Sequence, residues 1–237
     1  MQPGETEVKE SAMLTARLTE LNENEILKYL GYRGQEIDEN LRQQIERCIR
    51  EVSRASVPRI VWKRLPVENS HVDGLTLAGR DMANLLDHCQ EVVLLGATIG
   101  AMVERLLMRY EVKSMSDAQI MDACASTAVE NVCNNFESDL RAEVEQQGMY
   151  LSDRFSPGYG DLPFSENPDF CALLNVEKRI GVTQSPTHLM IPRKSVMAIM
   201  GISDHPLKMR GKGCENCPMF RNCRFRKKGV TCTGEPL

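Results

Sequence analysis

Apolar residues recur at helical spacing in two segments near the start of the chain. Asn22 to Leu30 forms one, stopped by Gly31, and Asp38 to Val52 forms the other, with Leu41, Ile45, Cys48, Ile49 and Val52 along one face. Both are expected to be helices that cover a core. Val57 to Val67 is rich in β-branched residues around Trp62 and is bounded by Pro58 and Pro66, which predicts a strand near a sheet edge. Leu75 to Leu77 reads as a second short strand and Arg80 to His88 as a helix. Glu91 to Leu95 predicts a buried strand that runs through Gly96-Ala97-Thr98-Ile99-Gly100 into a helix ending at Tyr110. With neither a following lysine nor a dinucleotide fingerprint, close packing of helix on strand explains these glycines better than phosphate binding.

The longest periodic segment is Ser116 to Gly148, read as a helix opened by a Ser116-x-x-Gln119 capping box. Ile120, Cys124, Ala128, Val132, Phe136 and Leu140 form its core stripe. Glu130 lies two residues from Ala128 and from Val132, so the pattern alone makes it a solvated charge. Asn167, Pro168 and Gly181 mark the cap, first turn and end of a further helix. His188 to Ile191 and Lys194 to Ile202 predict two strands, the second apolar enough to be buried on both faces. Helices and strands without regular βαβ alternation point to an α+β domain with an antiparallel sheet.

A chain of 237 residues with 42% hydrophobic and 26% charged residues can bury a self-sufficient core and carry a small appendage. Its net charge of −4 conceals a basic stretch from Lys208 to Lys228, in which eight cations face Glu215 alone. Met1 to Thr6 is polar and lacks the apolar core of a secretion signal, and Val92 to Val103 is too short to span a bilayer. A cytoplasmic location without membrane association is expected. Five of the nine cysteines (Cys48, Cys89, Cys124, Cys133 and Cys171) stand singly in apolar or helical settings and are expected to be reduced and buried.

Between the two long helical segments lies Arg154-Phe155-Ser156-Pro157-Gly158-Tyr159-Gly160-Asp161-Leu162-Pro163. An arginine can grip a carboxylate through its planar fork of donors, Pro157 stiffens the turn, and Gly158 and Gly160 let the backbone approach a ligand. Downstream come Leu174-x-Val176-Glu177-Lys178-x-x-Gly181, Thr183-x-Ser185, Pro192, Ser195-Val196 and His205-Pro206. Together and in this order, these elements resemble the reactivation domain of cobalamin-dependent methionine synthase. The resemblance implies a bent antiparallel sheet flanked by helices, and an S-adenosylmethionine site in the loop. Arg154 would hold the ligand carboxylate, Glu130 its amino group or ribose hydroxyls, and the backbone at Pro157, Gly158, Tyr159 and Gly160 would line the adenine. Asp38 and Glu39 are candidates for the acidic contact that the family draws from its first helices. The family places a tyrosine in the last segment, where this chain has Ile199 and Met200.

The chain contains no D-x-H-x-x-G segment, with which a corrinoid module binds cobalt. The cobalamin would therefore sit on a separate partner, a cobalamin-dependent methionine synthase or another corrinoid protein, with a possible electron-donor protein beside it. Cys214, Cys217, Cys223 and Cys232 place four thiols within 19 residues of a basic, glycine-bearing segment, which suggests a metal site. Only Cys214 and Cys217 form a zinc-type knuckle, and Pro218 follows a ligand as in ferredoxin-like runs, so iron–sulfur cluster and zinc both stay open with a lean to the cluster. The expected division is 1–206, resembling a methionine synthase activation domain, and 207–237, a basic, cysteine-rich metal-binding tail. Three readings remain: a free-standing reactivation subunit, an activator of another corrinoid methyltransferase, and a zinc module contacting nucleic acid. The small number of aromatic residues near the cations disfavours the last.

Overall fold

The computed structural model describes residues 10–32, 35–68, 71–77, 79–207 and 224–231. Five antiparallel strands form the central sheet in the order β1 (Glu10–Thr15), β2 (Arg59–Pro66), β3 (Glu91–Thr98), β7 (Ser195–Ser203) and β4 (Tyr150–Leu151). A separate hairpin joins β5 (Thr183–Gln184) to β6 (Met190–Ile191). The fold is thus α+β, as the element pattern predicts.

Side chains alternate strictly along the two central strands. Val92 and Leu94 of β3 and Met197 and Ile199 of β7 enter one core; Val93, Leu95, Ala198, Met200 and Ile202 enter the other. The first core is closed by α3 (Arg80–Leu86), α6 (Asn167–Leu174) and α7 (Val176–Ile180). The second is closed by α1 (Glu23–Tyr29), α2 (Glu39–Ala55), α4 (Ala101–Lys113) and α5 (Met115–Gln146). Coverage on both faces explains why these antiparallel strands lack the polar alternation of a half-solvated sheet.

Local signals set several helix ends. The Asn22 side chain accepts from the N–H of Asn24 at 2.8 Å, and Asp38 accepts from Leu41 N–H at 2.7 Å, so α1 and α2 begin on N-caps. Helix α5 begins earlier than expected, because Ser114, not Ser116, is its cap and accepts from Asp117 N–H at 3.3 Å. Strand β2 lies one strand in from the edge, with β1 on its outer side; Pro58 precedes the ladder and Pro66 forms its last pair, with Glu91. Residues 75–77 form no strand; Leu75 plugs the first core instead. The helix expected after Asn167 is two helices, divided at Asn175 in the left-handed conformation (φ 50°). Strand β3 continues through Gly96, where a Cβ would come within 3.1 Å of Val61 and of Val176 on α7, so close helix-on-strand packing is its requirement.

All five cysteines among the described residues are free and buried. Burial pushes the thiols of Cys48, Cys89 and Cys171 up to about 11 and that of Cys133 to about 12, which leaves them unreactive at neutral pH. No described helix is long and apolar enough to cross a membrane.

Candidate functional site

Strand β4 delivers the glycine-bearing loop to one side of β7. After the pairing of Leu151 with Ile202, Ser152 N–H donates to Gly201 O and Gly201 N–H donates to Ser152 Oγ, both at 2.8 Å. Phe155 and Ile199 then exchange backbone hydrogen bonds at 2.9 and 2.8 Å. Arg154 therefore projects from a stretch whose backbone is held at both ends by the sheet.

Beyond Phe155 the chain makes a tight turn closed by Tyr159 N–H to Ser156 O, Leu162 N–H to Tyr159 O, and Gly158 N–H to Leu162 O, all within 3.1 Å. Gly158 (φ 92°) and Gly160 (φ 55°) both take conformations that disfavour other residues. Phe155 and Leu162 bury themselves in the first core, while Tyr159 stays 70% exposed above it. Asp161 ties the turn to α3, accepting from Arg80 N–H at 2.6 Å and Asp81 N–H at 3.0 Å. The cap residue of α3 is Gly79, which has no side chain to do this.

Helix α5 supplies the opposite wall. Its residues Glu130, Asn134, Glu137 and Arg141 lie on one face by helical spacing. Arg154 Nη2 donates to Glu130 Oε2 at 3.1 Å and to Asn134 Oδ1 at 2.8 Å, and its Nε lies 3.4 Å from Glu137 Oε2. The Arg154 side chain is only 11% exposed, against 40% for that of Glu130. Nη1 is shielded from solvent and has no hydrogen-bond partner among the described residues. The fork of Arg154 is thus largely engaged by the protein, and Nη1 is the nitrogen left without a hydrogen bond to a described residue. Both carboxylate oxygens of the adjacent Asp153 are likewise buried without a partner among the described residues.

Helix α1 closes the third side. The segment that leads into it is held against α5 by Asn131 Oδ1, which accepts from Thr19 N–H at 2.9 Å, and by Asn135 Nδ2, which donates to Arg17 O at 3.0 Å. Burial pushes the Glu25 carboxyl up; Lys28 opposes the shift and Glu130 adds to it. Burial, followed by the charges of Glu130, Tyr159 and Glu25, pushes the Tyr29 phenol up to about 12. These shifts share their causes because groups from α1, α5 and the turn face one another. Tyr29 also lines a hollow of about 450 Å³ with Leu30, Glu111, Met115, Gln119 and Asp122, a size suited to small ligands.

Glu130 and Arg154, far apart in sequence, are thus in contact, beside the turn that contains Pro157, Gly158, Tyr159 and Gly160. Asp38 and Glu39 are occupied elsewhere, Asp38 in capping α2 and Glu39 in accepting from Gln43 Nε2 at 3.1 Å. Sequence reasoning missed Glu25 and Tyr29; the Asn22 cap sets the phase of α1 and could have pointed to them. Ile199 and Met200 enter opposite cores. Cys214, Cys217, Cys223 and Cys232 lie outside the described residues. Among the described residues, no group of three or more His, Cys, Asp or Glu side chains is placed to hold a metal ion.

Among solved structures, the chain is similar to the crystal structure of the MetH reactivation domain bound to AdoHcy. The two share 16% identity with a TM-score of 0.58, over 90% of this chain and 82% of the other. At this identity the likeness is one of fold. No family model matches the sequence, and no curated protein matches it.

Proposed function

We propose that this chain binds S-adenosylmethionine beside the Arg154–Glu130 contact, where α1, α5 and the Arg154–Pro163 loop meet, and presents its methyl group to the cobalamin of a separate corrinoid protein. In this reading it is a reactivation subunit for a cobalamin-dependent methionine synthase, within a methyltransferase system of methionine biosynthesis. The observation that carries the reading is the contact of Arg154 with Glu130 beside the glycine turn, on a fold shared with a reactivation domain.

The donor set suits the ligand. Arg154 would take the methionyl carboxylate after a side-chain shift that uncovers Nη1, which is buried and without a hydrogen bond to a described residue, and Glu130 would take the ammonium. Glu25 adds a second carboxylate from α1. The backbone at Pro157, Gly158, Tyr159 and Gly160 would line the adenine. Tyr29 offers a phenol from α1, whereas Ile199 and Met200, at the family's tyrosine segment, are both buried.

On transfer, the sulfonium–methyl bond breaks with its electron pair remaining on sulfur, and reduced cobalt on the partner supplies the pair for the new bond. No acid or base is required of this chain, whose contribution is proximity and orientation. Residues 1–206 would form the ligand-binding domain and 207–237 a basic tail. In the tail, Cys214, Cys217, Cys223 and Cys232 would hold an iron–sulfur cluster or zinc, serving the electron supply that reactivation requires.

Calorimetric titration of S-adenosylmethionine into the intact chain and into Arg154→Ala tests the binding step. Saturable binding by the intact chain that Arg154→Ala weakens at least tenfold supports it. Absence of binding by the intact chain overturns it.

A further inference from the structure

We infer that Glu137 is a positioning residue that aims Arg154 at the ligand, an inference that rests on the reading of Arg154 as the partner of a ligand carboxylate. Glu137 is 5% exposed. A carboxylate that deep is costly to bury unless its charge is met, and two guanidinium groups meet it here. Arg141, one helical turn on, donates from Nη2 to Glu137 Oε1 at 3.1 Å, and Arg154 Nε approaches Glu137 Oε2.

Arg141 is itself fixed by the backbone that leads to Arg154. Its Nη1 donates to Leu151 O and its Nη2 to Ser152 O at 3.2 Å. The contacts therefore close a ring: α5 carries Glu137 and Arg141, Arg141 holds residues 151 and 152, and Arg154 follows two residues later and returns to Glu137. One anion fixes both the approach of the chain and the side chain that the approach delivers.

A guanidinium is planar, so fixing two of its nitrogens sets the direction of the third. Glu137 meets the Nε corner as an ion pair at 3.4 Å, and Glu130 with Asn134 accepts from Nη2, which leaves Nη1 without a hydrogen bond to a described residue. The two glutamates are not equivalent. Glu130, at 40% exposure, can turn toward a ligand ammonium, whereas Glu137 is enclosed. Once Glu130 engages the ligand, Glu137 remains the ionic restraint on Arg154, and an uncharged side chain in its place leaves the guanidinium free to rotate.

The test uses the intact chain and two ligands that differ only in the carboxylate: S-adenosylmethionine and its decarboxylated form. Glu137→Gln is expected to weaken S-adenosylmethionine about tenfold and leave the decarboxylated ligand unchanged. Combined with Arg154→Ala, it is expected to add nothing further. Glu137→Asp retains the charge on a shorter stem and is expected to give an intermediate loss for the first ligand only, which keeps the test available if the glutamine variant folds poorly. Equal weakening of both ligands, or no change in either, overturns the positioning role while leaving the binding site intact. Failure of the unaltered chain to bind S-adenosylmethionine overturns both.

Discussion

Asp161 Oδ2 accepts a hydrogen bond at 2.6 Å from the backbone N–H of Arg80, capping α3 from the far side of the glycine turn. The bond links the stability of α3 to the conformation of the candidate ligand loop. Asp161→Ala is expected to cost about 1 kcal/mol, the usual worth of an N-cap. Thermal denaturation measures this cost, and ligand titration should register a parallel loss because the turn loses its anchor on α3.

Gly160 sits at φ 55°, and a Cβ added there would meet the Asp81 carboxylate and come within 2.9 Å of Cζ of the buried Phe155 ring. Gly148 also has a positive φ, of 73°, but a Cβ there meets nothing within 4 Å. Gly148→Ala should therefore carry only the conformational cost of about 1 kcal/mol. Gly160→Ala adds a steric clash at the base of the turn, so its melting temperature should fall further than that of Gly148→Ala. Equal losses would contradict the packing described for the loop.

Glu25 makes a prediction with a definite pH sign. Its folded-state pKa is raised, by burial first and then by Glu130 against the opposing Lys28. Between its ordinary value and the raised one, the folded chain binds more protons than the unfolded chain, so this group's contribution to stability declines as pH rises through that window. Glu25→Gln should accordingly raise the melting temperature at pH 7.5, with a gain that shrinks toward pH 4. Weaker S-adenosylmethionine binding is the expected counterpart, since the strained carboxylate is the one that would meet a cationic ligand.

The cysteine segment calls for a direct chemical test. Anaerobic purification followed by iron, sulfide and zinc analysis, with an absorption spectrum, should give iron and sulfide together with a visible chromophore that Cys214→Ser diminishes. One tightly bound zinc per chain without a chromophore would end the electron-carrying role while keeping a metal-stapled tail.

Much of the fold was readable because burial leaves a strong imprint. The unbroken apolar runs of β3 and β7, the helical spacing after Asn22 and after Asp38 and the stripe of α5 all lead to elements that the structure contains. Where burial is partial, the imprint fades. Leu75 and Leu77 resembled a strand because a short apolar run looks the same whether it pairs in a sheet or plugs a core. Helices α6 and α7 resembled one helix because Asn175 breaks the backbone without interrupting the run of buried residues Phe170, Leu174, Val176 and Ile180. The site was less readable for a related reason. Glu130, Glu25 and Tyr29 stand on polar or exposed faces where hydrophobic periodicity is silent, and only their meeting around Arg154 distinguishes them from ordinary surface groups. Glu137 sits beside the core stripe, yet its two guanidinium partners become visible only once β4 is docked on β7.

The central claim is that the proposed site at Arg154 presents a methyl group to cobalt on another protein. Anaerobic incubation of methyl-labelled S-adenosylmethionine with a reduced corrinoid protein lacking its own reactivation domain, with and without this chain, tests it most directly. The account predicts that label reaches the corrinoid rapidly only when the intact chain is present, and slowly with Arg154→Ala. Equal rates of labelling in the presence and absence of the chain would contradict it.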